Sequence, residues 1–449
     1  MNVASRGMTP AVGGERMVPK PDAMARDYIV LCLRIEQHVP GFVDAYFGPA
    51  DLKAKVELEQ VRPVARLRED VAALRERVGA PEVDDPERRR WFTAQLAAID
   101  VQLRALAGDP LPYEEHVATC FDLRMSRRPD AVYGEAATRL AELLPGDGPL
   151  VDRLAAWDAR FVVPVARLAV VIDRLVAVVR ERAERHFGLP PGEGLRVGLV
   201  TDQPWSAYNW YDGGLQSRVD VNTDLPIQIK RVVDTLSHET YPGHHLEHAW
   251  KEADLVGTRG RVEGTVLTIN TPECLISEGL AELGLRFASP PESEADLLVE
   301  LYGLAGLPIA ADPAAATDAA RRTVAMAAAR RTLGGATADA ALMRHAEGRS
   351  HNDVLVYLHD VALGAPDRAA KALEFIEHPL WRTYIFVYSE GERLLGRWLD
   401  AAPPDARAAR FGRLLHEQLT PGAIVDELAA ASEGLTGQAA TRGATASSP

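Results

Sequence analysis

The stretch His238-Glu239-Thr240-Tyr241-Pro242-Gly243-His244-His245 limits what this chain can fold into more than any other. It follows a helical pattern and sets three imidazoles and a carboxylate inside eight residues. The zinc-hydrolase helix carries two His on one face at i and i+4, with a Glu beside the first as general base. Here position i+4 is Pro242. A proline there lacks the N–H that would bond the His238 carbonyl, and its ring crowds that carbonyl, so the helix cannot run straight through. His245, at i+7, would return to the same face of a straight helix roughly 10 Å further along. That is too far for both rings to hold one ion at about 2.0–2.1 Å. Gly243 permits dihedrals closed to other residues. Pro242-Gly243 is therefore read as a local bulge that brings His244 to where i+4 would lie. His245 stays as the alternative ligand, and His244 with His248 forms a lower-ranked i, i+4 pair.

A catalytic zinc site needs a third protein ligand and an open position. The next acidic helical segment reads Ile276-Ser277-Glu278-Gly279-Leu280-Ala281-Glu282. Glu278 suits the third ligand, and Glu282, one turn on, suits a group that orients a ligand imidazole. Asp234, one turn before His238, is a second candidate for that role. Gly279 costs about 1 kcal/mol against Ala in mid-helix, which points to close approach of another element. Taken singly, each feature has a plain structural explanation: His pairs cap or pack, and Glu pairs line solvated faces. Their joint order and spacing argue for one zinc ion per chain.

Ala, Leu, Arg and Glu, all strong helix formers, dominate the remainder. Apolar residues recur at helical spacing over Asp22–His38, Pro86–Leu106, Leu150–Phe187, Leu297–Gly348 (with a break near Leu307-Pro308), His378–Leu399 and Pro404–Leu419. Strand signals are few: Leu195–Val200, and the alternating Ser217–Asn222. Between them lies an aromatic-rich segment, 203–214, read as a loop whose Tyr208 and Trp210 could wall a cleft. Ser217–Asn222 is read as an exposed edge beside the metal helix, able to pair with a peptide backbone while Asn222 adds a side-chain contact. The expected fold is mainly α, with a small antiparallel sheet beside the metal helix. A single unit over 23–433 is expected between disordered segments 1–22 and 434–449.

Composition excludes some classes. The net charge of −14 opposes binding to phosphate backbones, so nucleic acid is not an expected partner. No run of 18 apolar residues suggests a membrane span, and the N-terminus lacks the apolar stretch of a secretion signal, so a cytoplasmic location is expected. Cys32, Cys120 and Cys274 are far apart and read as thiols of a reducing compartment.

HETYPGHHLEH with SEGLAE resembles the bacterial domain-of-unknown-function family 885, whose signature is H-E-x-x-P-G-H-H followed by an E-G-x-A segment. That family is in turn similar to the His/His/Glu zinc peptidases, the gluzincins. Gly41-Phe42-Val43-Asp44-Ala45-Tyr46-Phe47-Gly48-Pro49 and Tyr388-Ser389-Glu390-Gly391-Glu392 resemble its early and late segments. Leu280 departs from the aromatic expected at its place in the E-G-x-A segment. The resemblance implies a helical, groove-bearing metallopeptidase. His238, His244 and Glu278 would hold zinc and Glu239 would act as general base. Tyr388, favoured by the resemblance, or Tyr384 or Arg382 would donate to the oxyanion. The expected substrate is a short peptide. A zinc amidase on a non-peptide substrate and a non-catalytic binding protein with a vestigial metal site are the competing readings.

Overall fold

The computed structural model describes residues 18–79, 83–203 and 205–432. The terminal segments expected to be disordered lie outside this range, apart from 18–22 and the last position of the central unit is likewise not described. The fold is mainly helical with two small sheets. Among the described residues no helix is long and apolar enough to cross a membrane.

Local chemistry sets the N-terminal helices. Asp22 caps Ala23–Glu36, its side chain accepting from the Ala25 N–H at 2.8 Å. Asp85 caps Pro86–Leu106 in the same way, with Pro86 in the first turn where its missing N–H costs nothing. These helices and Val64–Val78 close over an apolar cluster in which Tyr28 meets Trp91 and Phe92 edge-on, at ring separations of 5.4 and 5.5 Å. A larger apolar cluster runs through the other helices. Buried Glu263 joins the N-terminal helices to the segment after the histidine motif, accepting two hydrogen bonds from Arg88 at 2.7 and 2.8 Å. The long apolar pattern 150–187 resolves into two helices, Leu150–Ala159 and Val165–Phe187, separated at Pro164.

The sheet beside the motif departs from expectation. It has three strands in the order Gly194–Val200, Gln216–Asn222, Ala207–Gly213. The first pair is parallel and the second antiparallel, so the sheet is mixed rather than antiparallel. The aromatic segment is not a loop: Ala207–Gly213 is a strand, as suits half-buried aromatics, with Tyr211 facing the helices. Gln216–Asn222 is the central strand, bonded on both sides, so it offers no edge to a peptide. The buried carboxylate of Glu252, just beyond the motif, accepts from the Tyr211 hydroxyl and from the N–H groups of Gly214 and Leu215. It seats the hairpin on the motif helix.

A second contact positions the site. The helix Pro272–Ala288 crosses the helix Phe386–Asp400 at Gly279 and Gly391. A Cβ on Gly279 would lie 2.5 Å from the Gly391 carbonyl carbon and 2.8 Å from its Cα. Main chain rests on main chain, which explains the unfavourable mid-helix glycine.

Candidate metal centre

The helix Ile229–Glu239 buries Ile229, Val232, Val233 and Leu236 and delivers His238 and Glu239 in its last turn. The chain then breaks at Pro242 and resumes as the helix His244–Lys251. The return is tight. Any Cβ on Gly243 would overlap the carbonyl oxygen of His238, so only glycine lets the second helix start here. The outcome brings His244 Nε2 to 3.1 Å from His238 Nε2.

Glu278 meets both rings. Its carboxylate oxygens lie 3.3 Å from His238 Nε2 and 3.7 Å from His244 Nε2. A tetrahedral ion with bonds of about 2.0–2.1 Å sets its ligand atoms roughly 3.3–3.4 Å apart, which these separations bracket. The far ring nitrogens have acceptors of their own. His238 Nδ1 faces Glu282 Oε1 at 3.5 Å. His244 Nδ1 faces Ser277 Oγ at 3.3 Å and Glu247 Oε2 at 3.6 Å. With both Nδ1 atoms protonated toward these acceptors, two Nε2 lone pairs and a carboxylate converge on one point. Glu278 Oε2 is buried and without a hydrogen-bond partner among the described residues. Two ring nitrogens and a carboxylate oxygen at these separations make a donor set that suits a cation, so the residues fit a zinc ion.

Further groups support the ligands. Tyr384 donates to Glu278 Oε1 at 2.7 Å. Ser277 donates to Glu247 Oε2 at 2.6 Å, and Lys251 donates to Glu247 Oε1 at 2.7 Å. Burial pushes the Glu247 carboxyl up, but the Lys251 charge holds it well below the usual range. His244, Glu247 and His248 form a second grouping of ligand type. It shares His244 with the first, and its Glu247 is committed to Ser277 and Lys251, so it supports the first site.

Glu239 is half-buried, and among the described residues nothing hydrogen-bonds its carboxylate. Burial raises its pKa, and the charges of Glu278 and Asp44 add to the rise. Its main-chain carbonyl accepts from Asn209 Nδ2 at 2.6 Å. Tyr388 is 39% exposed, its ring 6.4 Å from that of His238. Burial, then the Glu278 charge, pushes its hydroxyl pKa well up, which keeps it a donor.

Several expected site residues stand elsewhere. His245 is fully buried, with Nδ1 2.8 Å from Ser217 Oγ and Nε2 2.9 Å from Glu193 Oε2, so neither nitrogen is available to the cluster. Asp234 pairs with Lys230, which also holds Glu294, and does not reach His238. Arg382 turns toward the helix Tyr113–Phe121, where its charge adds to burial in lowering the His116 pKa to about 4. Asn222 holds the carbonyls of Gln203 and Trp205 at 2.9 and 3.0 Å and so shapes a turn. Trp210 donates to Asp220 at 3.0 Å along the sheet. Tyr208 does reach the site region, donating to Asp44. Asp44, Glu193, Ser277, Glu247 and Lys251 were not singled out from sequence for a role. Of these only Glu247, one turn after His244, carries a spacing signal.

Glu193 anchors the turn from behind. It also accepts from the Tyr241 hydroxyl at 2.6 Å and pairs with Arg180. Burial pushes its carboxyl up, but His245, Tyr241 and Arg180 outweigh this and bring it down to about 2, against an ordinary 4.5. A depressed carboxylate stabilises the fold fully above its unfolded value and loses that contribution as pH falls through its folded value. The difference corresponds to about 3 kcal/mol. Glu193→Gln is expected to destabilise the protein at neutral pH, by a margin that narrows below pH 4.5. Chemical denaturation of both proteins across that range measures it.

No protein-family model matches this chain, and no curated protein does. Two solved structures are similar to it at 15% identity. One is described as a "putative lipoprotein" from Colwellia psychrerythraea, with a TM-score of 0.42 over 80% of this chain and 65% of that one. The other is a "putative lipoprotein of unknown function" from Shewanella oneidensis, with a TM-score of 0.45 over 88% of this chain and 69% of that one. The chain thus spans about two thirds of the length of each.

Proposed function

We propose that this protein is a zinc-dependent hydrolase of short peptides, of the family its histidine motif resembles. The observation that carries the reading is the convergence of His238 Nε2, His244 Nε2 and Glu278 on one point, with each far ring nitrogen turned to an acceptor. His238, His244 and Glu278 would hold the ion. The chemistry a zinc ion supplies is Lewis acidity toward a carbonyl and a water made acidic near neutral pH.

The chain's own groups do the rest. Glu239 takes the proton of the attacking water and returns it to the leaving amine. A base without structural partners is free for this work, whereas a purely structural metal site needs none. Tyr388 donates to the oxyanion of the substrate. Tyr384 acts through Glu278, whose carboxylate it holds. The central strand cannot take a peptide; the neighbouring outer strand, Ala207–Gly213, carries Asn209 against the Glu239 carbonyl and is the closer support for one.

Elemental analysis of purified protein should find one zinc ion per chain, and a peptide library should be cleaved. A metal-free protein that hydrolyses peptides at full rate would overturn the reading. Glu278→Ala should reduce bound zinc from stoichiometric to trace, since two imidazoles alone make a poor site. Retained metal would move the third-ligand role to Glu247.

A further inference from the structure

Arg231 lies seven residues before His238 in the helix Ile229–Glu239. Seven residues are two helical turns, so the two share a face and stand roughly 10 Å apart along the axis. The helix Pro366–Glu377 repeats the arrangement. Its Phe375 meets the ring of Tyr384, the donor to Glu278, at 6.5 Å, and Arg368 lies seven residues before Phe375. The two helices pack on different neighbours. The first rests on Val165–Phe187 and Pro272–Ala288, the second on His351–Asp360 and Trp381–Tyr384. Both arginines are exposed, yet they are close enough for the Arg368 charge to act on Arg231. They meet across a cleft that leads away from the metal centre.

Arg231 bears the mark of such a cleft. It is open to solvent, but enough protein stands round it that burial lowers its pKa, and the Arg368 charge lowers it further. Tyr388, at the metal end, shows the same combination: it is 39% exposed, and burial pushes its hydroxyl up. The acids whose charges reach Arg231 have cations of their own. Asp234 pairs with Lys230, and Asp158 accepts from Arg330 at 2.6 and 2.9 Å. Among the described residues, neither the Arg231 nor the Arg368 guanidinium has a hydrogen-bond or ion-pair partner. The chain as a whole carries a charge of −14, so two adjacent guanidiniums without a carboxylate are out of character. They repel each other, and an anion held between them removes that repulsion.

We propose that Arg231 and Arg368 bind the free α-carboxylate of the substrate, so that short peptides are cut a few residues before their carboxyl end. An extended peptide advances about 3.3–3.6 Å per residue, so a span of roughly 10 Å places the cut about three residues from that end. This rests on the hydrolase reading of the neighbouring metal centre and names its substrate class.

The test uses short alanine-rich peptides without acidic side chains, each with a free or an amidated carboxyl end. Two readouts are taken: hydrolysis by the zinc-loaded protein, with products identified by mass, and calorimetric binding of the same peptides to metal-depleted protein. The free acid should be preferred by about ten- to hundredfold in kcat/KM, chiefly through KM. Arg231→Gln and Arg368→Gln in one chain should bring the ratio of the two rates towards one at unchanged zinc content. Equal hydrolysis of free and amidated peptides overturns the proposal, as does a preference that the double variant keeps. If the wild type hydrolyses neither, the hydrolase reading fails, and binding judges the arginines alone. Tighter binding of the free acid, lost in the double variant, supports the proposal; equal binding overturns it. If the double variant does not fold, the wild-type comparison of free and amidated peptides decides.

Discussion

Glu239→Gln is expected to lower hydrolysis by about a hundred- to ten-thousandfold while the protein keeps its zinc. The substitution preserves size, and the one hydrogen bond that Glu239 receives among the described residues, from Asn209, goes to a main-chain carbonyl that glutamine also has. The proposed ligand atoms come from His238, His244 and Glu278, so zinc content should be unchanged. What glutamine lacks is a basic oxygen. Peptide hydrolysis and zinc content measured on one preparation separate the two effects. A variant within tenfold of the wild type would take the base role from Glu239.

The second large effect falls on a residue with no chemistry. Gly279→Ala sets a methyl group 2.5 Å from the Gly391 carbonyl carbon and 2.7 Å from its oxygen. Main-chain atoms cannot rotate aside, so the helices must separate. Overpacking of this kind costs about 1–3 kcal/mol, which outweighs the roughly 1 kcal/mol that alanine brings to a helix. The displaced helix begins at Phe386 and carries Tyr388, and Tyr384 just before it loses its 2.7 Å bond to Glu278. Activity and zinc affinity should fall together with stability. The control is Gly134→Ala, in the exposed face of Asp130–Leu143, where a Cβ meets nothing within 4 Å. There the same change should stabilise by about 0.5–1 kcal/mol. Denaturant midpoints and zinc titrations of both variants make the comparison; a Gly279→Ala protein as stable as the wild type would contradict the crossing.

What could be read from sequence was local. Asp22 as a cap, Pro86 at a helix start and the interruption at Pro242 follow from backbone rules that act within one turn, and the structure has all three. Gly279 carried a signal because a mid-helix glycine needs a reason. The sheet was harder. Two apolar alternations show that strands exist, but not that Gln216–Asn222 lies between the other two, because pairing order depends on partners elsewhere in the chain. Arg382 and Tyr384 are two residues apart, so they leave the helical segment on nearly opposite sides, and only the tyrosine meets Glu278. The contacts of Asp44 with Tyr208 and of Glu193 with His245 span 164 and 52 residues, and no spacing rule reaches that far.

The turn at Gly243 has a consequence for which ion the proposed site would accept. The second helix starts against the His238 carbonyl, so contact between main-chain atoms limits how the Cα positions of His238 and His244 can shift relative to each other. Side chains around the site can be exchanged to alter how tightly an ion is held, or how acidic its surroundings are. The spacing of the two histidine positions belongs to the backbone. A change of preferred ionic radius would therefore require remaking the turn, and substitutions in the surrounding shell should alter affinity across metals in parallel without reordering them.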